Sequence, residues 1–524
     1  MATYDVAVVG SGINSLVCAA RLARAGKRVV VLERNDRLGG CIRTEELFPG
    51  FRHDVLSSWY PLFVTGPAYA ELGDELEARG LELVNTETPT GVLTSDGEST
   101  VLHTEREATR KRLNALAEGD GDRYGAEIDA FLSEDSELTF GFLGNEPMSW
   151  KNAKMLWKSV RKAGALDTAA FFGRSMEPCR AWLERSFSSE VTRALLAPWV
   201  LHAGLGPDDA YSGLMGRIIT ATLELAGLPV VRGGSDRTVA AFQRLIEDHG
   251  GEFRTEADVE RVVVTDGKAR GVRLADGEYL NADAVVCSVT PTQLYGRLLD
   301  PSVVPERVAS EARAYRFGRA DMQIHFALEG PPRWPDAELA SVPMVHLTPG
   351  LDGVSRAVNE AERGLLPVEG TIVVGQPTAL DPSRAPDGKW ILWIQLQELP
   401  SVVRGDAAGE IDPPPDGTWT EDLREAYADR IQARLATHLP GLEDQIIGRR
   451  AFSPADLEDL NANLVGGDPY AGACTLDQFF LWRPMGGTKN HETPVDGLFH
   501  IGASTHPGPG LAGGSGYLVA DQLT

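Results

Sequence analysis

Two glycine-rich turns and a scatter of histidines carry the chemistry open to this sequence. Near the N-terminus, Gly10-Ser-Gly12-Ile13-Asn14-Ser15 follows the apolar run Asp5-Val-Ala-Val-Val and opens an alanine-rich helical stretch. A second run, Arg28-Val-Val-Val-Leu, ends in Glu33 and Arg34. Strand, glycine turn, helix and a second strand ending in an acid is an order that cradles a dinucleotide. Gly10 makes the turn, and Gly12 lets the backbone approach a pyrophosphate on the helix N-terminus. Glu33, 21 residues past Gly12, can accept hydrogen bonds from ribose hydroxyls. Ser15 stands where a third glycine is usual and is small enough for close helix–strand packing. The second turn follows the apolar run 497–501 and holds Gly502, His506, Gly508, Gly510, Leu511, Gly513, Gly514 and Gly516 ahead of an apolar helix. Glycines so dense beside a strand imply backbone packed on something flat or charged, with a helix beginning near 510–513 aiming its amides at it. Chemistry at a bound dinucleotide commonly moves protons, so bases matter. His53, His202, His325 and His506 are candidates, with His506 beside the glycine-rich tail first and His53 second. A loop-ordering hydrogen bond is the alternative role for His506, and mid-strand His325 reads as core. Asp54 and Arg43 either orient a polar substrate end or are salt-bridged scaffolding.

Much is excluded. No Ser-His-Asp constellation and no metal-ligand spacing stand out, so no metal is expected. The five cysteines are scattered without a Cys-x-x-Cys pair, which removes dithiol reductase chemistry and clustered-thiolate zinc sites and fits a reduced compartment. A formal charge of −25 over 524 residues argues against nucleic acid, which needs a basic face, and against simple electrostatic docking on anionic lipid; apolar docking on a membrane stays open. No run approaches the roughly 18 apolar residues of a membrane span. The first strand starts so near Met1 that no cleavable leader fits ahead of it, and a cytoplasmic setting is the expectation.

The elements that must position these residues come in blocks. A nucleotide-binding unit runs to about residue 70, followed by polar helical stretches across 105–132. The segment 150–228 is mostly of helical period and rich in Trp150, Trp157, Phe171, Phe172, Trp182, Phe187 and Trp199. Aromatics at this spacing predict core first and the wall of an apolar pocket second. A helix over 238–249, a hairpin turning at Asp266-Gly267 and a strand over 282–288 then return the chain to the nucleotide unit. Runs over 321–328, 371–375 and 389–397 predict strands of a second sheet, and 421–435 a helix. The fold expected is α/β: a discontinuous Rossmann-type dinucleotide-binding domain (1–75, 230–305 and 470–524) with an inserted α+β domain (76–229 and 306–469), which the resemblance described next makes an FAD-binding domain with an inserted substrate domain.

Together, 10–15, Glu33-Arg-Asn-Asp-Arg-Leu-Gly39-Gly40 with Arg43, 230–288, Cys474-Thr-Leu-Asp-Gln-Phe-Phe-Leu-Trp-Arg-Pro and the tail from Val495 resemble the phytoene desaturase and carotenoid isomerase group of FAD-dependent oxidoreductases. The nearest branch is the one named for pyridine nucleotide-disulfide oxidoreductase domain-containing protein 2. The resemblance implies FAD, with Gly10, Gly12, Ile13 and Asn14 on the pyrophosphate, Glu33 on the adenosine ribose and Arg34 on the adenine side. It implies Gly39, Gly40 and Arg43 along the flavin approach, and the backbone of Val259 at the adenine edge. Gly502, Gly508, Gly510, Leu511 and Gly513 are implied at the ribityl chain and isoalloxazine. One departure, Phe51-Arg-His53-Asp54, lies in a segment that faces substrate in relatives. The leading expectation is desaturation of a largely apolar, isoprenoid-like molecule, with oxygen or a quinone as electron acceptor. Amine or small-metabolite oxidation, redox-neutral polyene isomerisation and a non-catalytic flavoprotein scaffold are the alternatives. A long apolar tunnel at the flavin would favour polyenes; a short cavity with a buried charge would favour amines or acids. The sequence leaves substrate, acceptor and oligomeric state open.

Overall fold

The computed structural model describes residues 3–510 and 512–524 and is built on two seven-stranded sheets. In the first, the order is Val259–Thr265, Lys268–Leu274, Tyr279–Ser288, Thr3–Val9, Val29–Leu32 and Glu252–Arg254. Leu498–Ile501 runs parallel to the end of Tyr279–Ser288, pairing Val285 with Leu498 through Ser288 with Ile501. The central strands are valine-rich because helices or loops cover both faces; Val29–Leu32 is buried at every position. Ile13–Arg24 packs its apolar face on this sheet, and Asp236–Asp248 lies beside it. The expected hairpin forms at Asp266 and Gly267, both with positive φ, which suits the right-handed twist of the flanking strands.

The second sheet has the order Ile446–Phe452, Ala320–Leu328, Trp390–Leu399, Ile372–Gly375, Met344–Thr348, Thr90–Thr94 and Ser99–Leu102. Glu421–His438 covers it through Leu423, Tyr427, Ile431 and Leu435. Four of its strands (Thr90–Thr94, Ser99–Leu102, Met344–Thr348 and Ile446–Phe452) have no sequence expectation behind them. Helices from Arg106–Leu116 to Ser212–Ala226 fill the interval between the first two nucleotide-sheet segments and the return at residue 230.

The tail helix is Gly514–Leu523, with Gly513 as its N-cap, one residue past the expected start. One expectation needs correction. The aromatic segment divides: Phe171, Trp182, Phe187 and Trp199 are buried, but Trp150 is 83% exposed, Trp157 60% and Phe172 40%. The cause is local, since Trp150–Ala163 and Ala165–Ser175 pair mainly with each other.

The junction between the sheets is ionic and fully buried. Arg384 donates from Nη1 to Asp54 Oδ2 at 2.8 Å, from Nε to Asp381 Oδ2 at 3.0 Å and from Nη2 to the Val231 carbonyl at 2.7 Å. Asp54 also accepts from Thr44 and Ser58 hydroxyls, each at 2.6 Å, and from the Ser235 amide at 2.9 Å, while Asp381 takes the Gly233 amide at 2.6 Å. Gly234 must be glycine: its φ is +128°, and a Cβ there would stand 2.7 Å from Thr44. Asp54 is therefore scaffold. Burial works to raise the carboxyls of Asp54 and Asp381, but Arg384 and the hydroxyl and amide donors outweigh it and hold both low. A lowered carboxylate contributes stability that is present above its unfolded pKa and lost as pH falls through the folded one. Arg384→Met should cost about 3–5 kcal/mol at neutral pH by stranding two buried charges. Calorimetry across pH should show the gap to wild type narrowing below about pH 4, where the carboxyls take up protons; a constant gap would refute this account.

Candidate active site

Parallel strands Thr3–Val9, Val29–Leu32, Tyr279–Ser288 and Leu498–Ile501 all deliver their carboxyl ends to one crevice, at Gly10, Glu33, Ser288 and Gly502. Ligands of open α/β sheets bind at such an edge. A cavity of about 380 Å³ runs along it, from Glu33, Arg34 and Val259, past Gly10–Asn14 and Gly40, to Gly502–Ser504 and the face of the second sheet.

The phosphate cradle follows from local geometry. Gly10 has φ +88°, and Gly12 is the N-cap of Ile13–Arg24 with no side chain capping the helix. The first amides of that helix are thus free for an anion. A Cβ built on Gly12 meets nothing within 4 Å, so the space over it belongs to a ligand and not to the protein. Glu33 is buried and oriented by its neighbours: Oε2 accepts from the Ser11 hydroxyl at 2.6 Å, and Oε1 from the Asn35 amide at 3.0 Å. The Ser11 amide, at 3.2 Å, takes the second position on Oε2, and Oε1 keeps a further acceptor position for a ribose hydroxyl. These residues fit a dinucleotide.

Of the residues expected from sequence, Gly10, Gly12, Ile13, Asn14, Glu33, Arg34, Gly39, Gly40, Val259, Gly502 and Gly510 line the cavity. Asn14 acts further as a tie: its Oδ1 accepts from the Ser515 hydroxyl at 2.8 Å and caps the start of the tail helix. The crossing is so close that a Cβ on Gly516 would lie 1.8 Å from the Asn14 carbonyl oxygen. Val259 gives its carbonyl to Arg297 at 3.2 Å. Arg43 is off the wall, its guanidinium turned to Glu45. Gly508 and Gly513 are also off it, for packing reasons: a Cβ would stand 2.8 Å from the Phe479 ring at the first and 2.5 Å from Val17 at the second. Leu511 lies outside the described residues.

Neither expected base reaches the cavity. His53 is fully buried among Phe48 and His325, and burial, with help from His325 and Arg384, drives its pKa far down. His506 packs against the backbone of 142–145, lowered by burial to about 3. Each ring is neutral core. His325 likewise sits in the core with Nε2 on the Val55 carbonyl at 3.2 Å. His202 alone of the four is on the cavity wall, stacked on Trp199 with Nε2 3.0 Å from His346 Nε2.

What the sequence reading missed is the far wall. From Ala320–Leu328 and Trp390–Leu399, alternate residues Asp321, Gln323, Trp393, Gln395 and Gln397 face the cavity. Asp321 Oδ2 accepts from Gln395 at 2.5 Å, while Oδ1 is buried without a partner. Tyr470 donates to the Leu201 carbonyl at 2.6 Å and so accepts from Gln397 Nε2 at 2.9 Å, which leaves Gln397 Oε1 unpaired, as is Gln323 Oε1. Burial pushes the Asp321 carboxyl well above its usual range. Trp59, Trp199 and Trp393 flank this polar floor, Trp393 donating its indole N–H to the Leu56 carbonyl at 3.0 Å.

Comparison with known proteins decides the class. The pattern of the flavin containing amine oxidoreductase family matches residues 16–510. The chain belongs to that family. It is a flavin-dependent oxidoreductase with FAD as cofactor. A limonene dehydrogenase polypeptide of Castellaniella defragrans is 27% identical over 99% of this chain and 94% of that protein. Pyridine nucleotide-disulfide oxidoreductase domain-containing protein 2 of Rattus norvegicus is 27% identical over 98% of this chain and 92% of its own. A solved oxidoreductase from Methanosarcina mazei shares the fold, with a TM-score of 0.63, 16% identity and full coverage of both chains.

The empty volume over Gly12 makes a sharp test. Gly12→Ala should fold with an unchanged thermal midpoint when both proteins are compared as apo forms, yet purify almost without flavin absorbance. Gly516→Ala should fail to fold. Full FAD content in Gly12→Ala would refute the assignment of the cradle.

Proposed function

We propose that this flavoenzyme dehydrogenates a compact, largely apolar substrate, with 1–75, 230–305 and 470–524 holding FAD and 76–229 and 306–469 closing over the substrate. The observation that carries the reading is the two-sided wall of the cavity. Trp59, Trp199, Trp393, Ile219 and Leu223 offer contact to an apolar body, and Asp321, Gln323, Gln395 and Gln397 give one end of the wall a polar patch. The relative named for limonene, matched over nearly its whole length, supports a dehydrogenase acting on a molecule of this kind.

When bound, the flavin takes up the hydride lost from a substrate C–H bond. A proton leaves the neighbouring carbon, and the electron pair left behind closes the new double bond. The chain itself must hold the substrate, exclude water and accept that proton. Asp321 is placed for it, because a carboxylate whose proton affinity is raised by burial is a stronger base, matched to work nearer neutral pH than an ordinary aspartate. Gln395 holds Oδ2, and Oδ1 has no hydrogen-bond partner. His202 and His346, neutral because burial lowers both, hold Trp199 edge and face.

The Asp321 carboxyl beside three indoles favours a second reading, oxidation of an amine, since an ammonium group pairs with a carboxylate and with aromatic faces. Anaerobic mixing with isoprenoids and with amines separates the two. Bleaching of the flavin by neutral apolar compounds supports desaturation. Bleaching only by amines, with peroxide released in air, would replace it.

Asp321→Asn gives the sharper test of the residue. Turnover should fall by about 100- to 10,000-fold with FAD content unchanged, and the rise in rate with pH should disappear. Stability should move the other way. A carboxyl raised in the folded state contributes stability that is present at low pH and lost as pH rises through the folded pKa. Removing the charge should therefore raise the thermal midpoint at neutral and alkaline pH. Turnover reduced less than about 100-fold, the lower end of what a lost general base costs, would overturn the assignment.

A further inference from the structure

The helix pair Trp150–Ala163 and Ala165–Ser175 carries an uncovered face unlike the rest of the surface. Trp150, Trp157 and Val160 lie on one side of the first helix, at spacings of seven and three, and Leu166 heads the second at 86% exposed. Lys151, Lys154, Lys158, Arg161 and Lys162 share that first helix with no acidic residue, in a chain whose formal charge is −25. Lys158 pairs with Glu137; Lys151, Lys154, Arg161 and Lys162 have no ion pair among the described residues. Arg161 lies over the Trp157 ring at 4.7 Å, holding charge and indole together at the same level. The second helix packs on Ser212–Ala226, whose Ile219, Thr222 and Leu223 line the cavity.

We propose that this helix pair is a docking surface for an anionic lipid membrane, lying in the headgroup layer with Trp150, Trp157 and Leu166 inserted and the lysines among the phosphates. Exposed indoles beside long basic side chains suit that layer, where one end of each group is apolar and the other polar. Charge complementarity chooses the occupant. A second copy meeting this face about a two-fold axis would set five basic residues against the same five, whereas an anionic leaflet neutralises them. The remaining acidic surface is repelled, so the protein would approach a bilayer by this face alone.

Flotation of the FAD-loaded full chain with vesicles tests it. Wild type should float with vesicles of phosphatidylcholine and phosphatidylglycerol, stay behind with phosphatidylcholine alone, and be released by salt. Trp150→Ser/Trp157→Ser should lower binding at least about tenfold from lost apolar burial. Lys154→Glu/Lys162→Glu should lower it by at least about fivefold per charge. Flavin absorbance and thermal midpoint should stay unchanged in both variants, since neither pair touches the cavity. Failure of the wild type to float with anionic vesicles, equal flotation with both vesicle types, or wild-type binding by the tryptophan variant would overturn the proposal. So would conversion of an oligomer to monomer by the tryptophan variant in sedimentation velocity, which would give the face to a second copy.

Discussion

Arg384 is the constraint on which the two-sheet arrangement depends. Its guanidinium is wholly buried, and a buried charge of that size is tolerated only when its partners are fixed in place. Those partners come from three distant stretches: Asp54 at the end of Phe51–Asp54, the Val231 carbonyl at the return into the nucleotide sheet, and Asp381 ahead of Trp390–Leu399. Donors from Thr44, Ser58, Gly233 and Ser235 complete the network. The stretch 56–59, which supplies Leu56, Ser57, Ser58 and Trp59 to the cavity, begins just past the residue that Arg384 grips. Position at the cavity is thus set by an interaction outside it.

A second buried polar group behaves in the opposite way. The Arg384 network pairs every charge, while the floor formed by Asp321, Gln323 and Gln397 leaves three acceptors without donors. Unsatisfied buried oxygens cost stability, and they persist where something other than the fold completes them. The floor proposed to meet substrate thus differs in kind from the paired network that positions it. The histidines sort by the same reasoning. His53, His325 and His506 are enclosed by ring edges and backbone, where only the neutral form is stable, so residue type alone was a poor guide to a base.

What could be read from the sequence follows the range of the forces involved. The glycine turn at 10–15, the acid at Glu33, the Asp266-Gly267 hairpin and the strand before Gly502 are legible because backbone sterics over a few residues dictate them. The direction of a loop is not local. His506 adjoins the cavity-lining Gly502–Ser504 in sequence, yet its ring turns to 142–145; Gly508 and Gly513 turn to Phe479 and Val17. The polar floor left a trace, Asp321-x-Gln323 and Trp393-x-Gln395-x-Gln397, two period-2 alternations in apolar strands. Both faces of those strands are buried, so alternation could not say which side met the crevice. That needed the register, which sets Gln323 opposite Gln395 and Ile324 opposite Ile394.

The aromatic helices show how an average misleads. A chain charge of −25 argues against anionic surfaces only if charge is spread evenly, and here a single helix concentrates five basic residues. The pattern is visible once spacing replaces composition: tryptophans seven apart with lysines three and four residues away belong on one exposed helix, not inside a core that would strip the ammonium groups of water. Burial follows from the face a residue occupies, and faces are set by period. The spacing of the aromatics taken by itself put Trp150 and Trp157 in the core; the same residues taken with their basic neighbours belong at a boundary between an apolar phase and water.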